Sequence, residues 1–199
     1  MDYPKIAKEI VELQNADLEL RDKLIENGQL FDGYNQEMAA LHNRHAEILN
    51  KIIDKIGYPT VEKVGKEANE AAWLVIQHSI GQPEFMKKCA VLLEKAVVEN
   101  QADAKQLAYL TDRIAVFEGE AQLYGTQFDW DAGGEMNPNP FDDLEKVNRR
   151  RKTIGLNLLE EQTEIIRKQM IAENQKPPAD LKERTKQSDE WRKKVGWIK

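Results

Sequence analysis

Three groups of residues in this 199-residue chain are of types that do chemistry. His78 continues the stripe Val64, Ala68, Ala71 and Val75 along one predicted helix. An imidazole there must satisfy its ring nitrogens or shift its pKa, and it can act as an acid or base near neutrality. Asp112-Arg113 closes another predicted helix, just before an irregular segment. Arg113 offers a planar fork of donors suited to a carboxylate or phosphate, and Asp112 can orient that fork or a histidine. The third group, Gln122-Leu-Tyr124-Gly125-Thr126-Gln127, gathers two amides, a phenol and a hydroxyl around one glycine. Such a set can orient a polar substrate. It can equally satisfy backbone groups inside a structured loop.

Other signals are weaker. His42 and His45 stand three apart on a predicted helix, but no third ligand follows at metal spacing, so no metal site and no cofactor are expected. There is no glycine-rich phosphate loop, HExxH or nucleophile elbow. The single Cys89 excludes an internal disulfide and reads as apolar filler beside Phe85, Leu92 and Ala96. Arg149-Arg150-Arg151-Lys152 suits a helix C-terminus, with one Arg able to turn inward toward the loop.

Gly57-Tyr-Pro59, Val64-Gly65, Gln77-His78, Asp112-Arg113, Gly119, Tyr124-Gly-Thr-Gln127, Arg149-Arg150 and Gly155-Leu156 occur in that order. Over roughly 56–159 the chain thereby resembles a bacterial family with a domain of unknown function. The resemblance implies that His78, Asp112, Arg113, Gln122, Tyr124 and Gln127 work together. It implies no reaction.

Helices must position these residues. Ile6, Ile10, Leu13, Leu20 and Leu24 form one stripe, interrupted by Asp17, and Met38, Leu41, His45, Ile48 and Ile52 form a second. With a turn bracketed by Gly28 and Gly33, they predict a long hairpin over 1–55. Thr60 is placed to cap the helix carrying His78, and Gln82-Pro83-Glu84 opens the next. Another spans about 102–118 and stops at Gly119. Residues 119–139 lack helical period and read as a loop, with room for a short β-hairpin. Asn139-Pro140 opens a further helix, and Asn157-Leu-Leu-Glu160 resembles a capping box. Pro177-Pro178 precedes a charged segment whose Trp191 and Trp197 must pack against something.

The expected fold is therefore all-α: a helical hairpin (1–55), a compact helical core with one polar loop (56–160) and a basic helical extension (161–199). The formal charge of −6 is uneven. Residues 1–140 carry 14 basic and 24 acidic side chains, and 141–199 carry 15 and 11. That balance disfavours nucleic acid as a partner, and the basic tail is expected to dock on the acidic body. With no long apolar run and a charged N-terminus, neither a membrane span nor a signal peptide is expected, and a cytoplasmic location follows. The hairpin's charged faces leave a homo-oligomer open.

Two functions remain. In one, the core binds a small anionic ligand as a hydrolase or transferase. His78 and Asp112 would then be catalytic, and Arg113, Gln122, Tyr124, Thr126 and Gln127 would bind substrate. In the other, the chain is a non-catalytic interaction module whose motif residues pin the loop.

Overall fold

A computed structural model describes residues 2–29 and 34–199. Gly33, expected to bound the first turn, lies outside the described residues. The described residues form eight helices and one two-stranded sheet, an all-α architecture with a minor β-hairpin. The chain divides into two compact units, 1–103 and 104–199.

The first unit holds α1 (Tyr3–Glu26), α2 (Gln36–Ile56), α3 (Val61–His78) and α4 (Pro83–Val98). Asp2 caps α1 through Lys5 N–H, and Asn35 caps α2 through the N–H groups of Glu37 and Met38. Helix α1 buries Ile10, Leu13 and Leu24, and packs chiefly against α3. Ala68, Ala71 and Ala72 on α3 are small enough to let a neighbouring backbone approach.

Three local expectations needed correction here. The inward face of α2 is Met38, His42, His45, Leu49, Ile52 and Ile56, while Leu41 and Ile48 sit half-buried on its flank. Helix α3 is not continuous from Thr60 either: Gly65 adopts φ +81° and ψ 165°, so the regular helix leading to His78 starts after it. Pro83 opens α4 as expected, but Gln82 gives no side-chain cap. Its amide instead donates to Asn43 Oδ1 at 3.1 Å.

The second unit holds α5 (Ala104–Glu118), β1 (Phe128–Trp130), β2 (Met136–Pro138), α6 (Leu144–Thr153), α7 (Leu159–Ala172) and α8 (Leu181–Val195). The strands pair antiparallel with Asp129 opposite Asn137. Asp131 closes their turn by accepting the N–H groups of Gly133 and Glu135. Helix α6 begins later than Asn139-Pro140, because Asp143 is the residue that caps it, through Lys146 N–H. Helix α7 begins after Leu158, whose N–H is met by Glu161, and Asn157 serves Arg151 instead of a cap.

The tail packs within this unit. Trp197 is buried with its ring centroid 5.1 Å from that of Phe117, and Trp191 stands 5.7 Å from the same ring. Arg192 donates to the carbonyls of Val116 and Phe117 in the last turn of α5.

Candidate functional site

Asp17 takes a core position on α1, one turn beyond Leu13, and is completely buried. A carboxylate removed from water needs partners, and two histidines supply them. His78, at the end of α3, directs Nδ1 at both carboxylate oxygens, 3.1 Å from Oδ1 and 3.0 Å from Oδ2. His42, from α2, brings Nε2 to 2.8 Å of Oδ2. Tyr34 then closes the far side of His42, with its hydroxyl 2.8 Å from Nδ1 and its ring stacked at 5.8 Å. The two imidazoles stand 5.1 Å apart. One donor atom from each of Asp17, His42 and His78 can be chosen so that all three lie within 4.8 Å of one another.

Burial pushes the Asp17 carboxyl up, but the two imidazoles outweigh it and hold the group well below the ordinary carboxylate range. Burial, with the Asp17 charge adding to it, pushes the Tyr34 hydroxyl up, so it stays a neutral phenol. His42 is only 7% exposed, whereas the His78 side chain is 29% exposed. His78 is thus the member of the cluster that solvent reaches. His42 Nε2 approaches the carboxylate closely without making a hydrogen bond to it.

A carboxylate fixing one ring nitrogen of a part-exposed histidine can support proton transfer at the other. Two imidazoles and a carboxylate converging from three helices can also ligate a cation. His45 takes no part in the cluster. Its Nδ1 is buried without a hydrogen bond, and burial pushes its pKa down.

The remaining residues singled out from sequence belong to the second unit. Asp112, fully buried on α5, accepts from Leu123 N–H at 2.8 Å and Tyr124 N–H at 3.1 Å through Oδ1. Its Oδ2 accepts from Thr126 N–H at 2.9 Å and from the Thr126 hydroxyl at 3.0 Å. Burial pushes this carboxyl up, against hydrogen bonds that all favour its charged form. Gln122 is also fully buried. Its amide donates to the carbonyls of Gln127 and Asn139 and accepts from Gln127 N–H at 2.7 Å. The Gln127 amide donates to Thr126 Oγ1 at 3.0 Å. Arg113 and Tyr124 are half-buried, and burial lowers the Arg113 pKa.

Arg151 is the arginine of the basic run that turns inward, and it is 2% exposed. It donates to the carbonyls of Tyr124, at 2.7 Å, and Gly125, and to both oxygens of Asn157. The loop is therefore held from two sides, its N–H groups by Asp112 and its carbonyls by Arg151. Arg150 pairs with Asp142 through two bonds of 3.0 Å and reaches Leu123 O at 3.1 Å.

Sequence reasoning placed His78 among the site residues but missed Asp17, Tyr34 and the inward turn of His42. The available signal was Asp17 itself, a carboxylate in a position that the surrounding stripe reserves for apolar side chains.

A family model described as a family of unknown function (DUF6624) matches residues 4–181. The match takes in α1 and α2, and hence Asp17 and His42, which a resemblance confined to 56–159 leaves outside. No curated protein and no solved structure matches the chain.

Proposed function

Starting from the fact that the chain belongs to this family of unknown function, we propose that it is an enzyme of hydrolytic or group-transfer class whose reaction centre is Asp17, His42 and His78. One observation carries this reading: a fully buried carboxylate is shared by two imidazoles, and only one of these, His78, is open to solvent. A core built for stability alone is better served by an apolar side chain at position 17, because burying an ionised group is expensive. Strongly perturbed carboxylates cluster at functional sites for the same reason.

For the second unit the proposal differs. Asp112, Gln122 and Thr126 hold the shape of the 122–127 loop, since their polar atoms are directed into the loop itself. Arg113 on α5 and Tyr124 in the loop, both half-buried, are the residues proposed to contact an anionic ligand.

The test is turnover of small chromogenic probes covering a carboxylic ester, a phosphomonoester and a phosphodiester. Turnover of at least one class is expected. It should fall about 100-fold or more in His78→Gln and Asp17→Asn, in variants whose circular dichroism matches the parent. An enzyme whose turnover survives both substitutions has its reaction centre elsewhere. A parent protein that turns over none of the three classes is not a hydrolase of this kind.

A further inference from the structure

We propose that Asp17, His42 and His78 together bind one divalent first-row transition-metal ion of the zinc class, through Asp17 Oδ2, His42 Nε2 and His78 Nδ1. This rests on the reading that the cluster is the reaction centre, and it names the cofactor of that centre.

The donor set is two imidazoles and one carboxylate, a combination suited to zinc and to ferrous iron in sites with open positions. The spacing fits as well. Ligands about 2.0–2.1 Å from a tetrahedral zinc ion stand roughly 3.3 Å from one another. Asp17 Oδ2 already lies 2.8 Å from His42 Nε2 and 3.0 Å from His78 Nδ1. These two separations are within a few tenths of an ångström of that value, and all three donors lie within 4.8 Å of one another.

The independent observation is His42. It is more than nine-tenths buried, and its Nε2 sits against the carboxylate without a hydrogen bond to it. A histidine that served only to hydrogen-bond Asp17 would aim its N–H at the acceptor. A ring nitrogen held 2.8 Å from the oxygen without donating to it is available as a ligand. Its opposite nitrogen meets the Tyr34 hydroxyl at 2.8 Å. A ligating imidazole commonly donates its second N–H to such an oxygen, which fixes the tautomer and leaves Nε2 with a lone pair. Tyr34 is thereby a positioning residue. When bound, an ion of this kind supplies Lewis-acid activation of water or of a substrate oxygen, as a hydrolytic centre needs.

The experiment uses the full chain, stripped with a chelator and then dialysed, with zinc and cobalt(II) as probes. Calorimetric titration with zinc should give one ion per chain at micromolar affinity or tighter. Cobalt(II) should give the visible absorption of a four- or five-coordinate ion, without the thiolate charge-transfer band that Cys89 would contribute. Asp17→Asn and His42→Ala should each weaken binding at least 100-fold. His78→Ala, at the more exposed position, is the variant to use should either of those fail to fold. Tyr34→Phe should weaken binding about tenfold or more while leaving the stoichiometry at one. Absence of one-to-one binding at 100 µM zinc, or binding undiminished in the folded variants, overturns the proposal. Turnover that survives removal of metal overturns it too and leaves the reaction centre standing. One-to-one zinc binding without turnover of any probe leaves the metal site standing and removes the hydrolytic reading.

Discussion

Replacing Asp112 with alanine tests whether the 122–127 loop is held by a single carboxylate. Three backbone N–H groups and one hydroxyl converge on its two oxygens at 2.8–3.2 Å. A hydrogen bond to a charged acceptor contributes about 1.5–3 kcal/mol, so a simple sum over four donors gives roughly 6–12 kcal/mol. That sum is too large, because bonds to one acceptor are not additive. The loop also has a cheaper response than staying shut with unpaired donors: it can leave α5 and hydrate. Arg151 and Gln122 resist that escape by holding the carbonyls of Tyr124, Gln127 and Asn139. The expected cost of Asp112→Ala is therefore about 3 kcal/mol.

Asparagine should cost less. Its oxygen can keep the Leu123 and Tyr124 N–H groups, and the Thr126 hydroxyl can rotate to accept from the new amide. Only Thr126 N–H then faces a donor, for a cost of about 1–2 kcal/mol. Amide exchange reads the effect locally. Protection at Leu123, Tyr124 and Thr126 should fall in both variants, more in alanine, while the amides in the middle of α5 stay protected. Equal costs for the two substitutions, or unchanged exchange at the three loop amides, would refute the reasoning.

Two other expectations follow from the same unit. Gly125→Ala should destabilise by about 1–3 kcal/mol, since φ is +62° and a Cβ would stand 2.8 and 2.9 Å from the methyl carbons of Leu159. Denaturant melts should show the double variant with Leu159→Ala costing less than the two single costs combined, and strict additivity counts against the clash. The Asp142 carboxyl should titrate at about 2, held down first by its hydrogen bonds from Arg150. Because this value lies below that of the unfolded chain, about 3.9, the pair's contribution to stability is complete above that unfolded value and is lost as pH falls toward 2. Side-chain carbon shifts in Arg150→Ala should move the midpoint upward, and an unmoved midpoint removes Arg150 as the cause.

The all-α class was legible because its signals are local. Stripes on α1, α3 and α4, the Pro83 start, the Gly119 stop and the strand-compatible segment before Pro140 each depend on a few neighbouring residues. The start of α7 shifted through competition for a polar side chain. Asn157 looks like a cap in sequence, but the buried Arg151 guanidinium claims both of its oxygens. In sequence, Asp112 reads as able to orient Arg113 or a histidine. Its choice became visible only once Leu123, Tyr124 and Thr126 were seen to aim their N–H groups at one point.

The centre in the first unit was hidden by a different ambiguity. Helix α2 carries apolar residues on two adjoining strips, one through Leu41 and Ile48 and the other through Leu49, Ile52 and Ile56. Hydrophobic period alone does not choose between them, because the two faces share Met38, His45 and Ile52 and differ by roughly half of the 100° step between successive residues. Electrostatics breaks the tie. With Leu41 inward, His42 is carried away from α1, and Asp17 keeps one imidazole. With His42 inward, the carboxylate gains a second one at 2.8 Å, and Leu41 moves only to the half-buried flank. Depriving a buried carboxylate of a partner costs several kcal/mol, more than the partial exposure of a leucine. Asp17 therefore sets the rotation of α2, and the residue that interrupts the apolar stripe of α1 is the one that decides which face of its neighbour becomes the site.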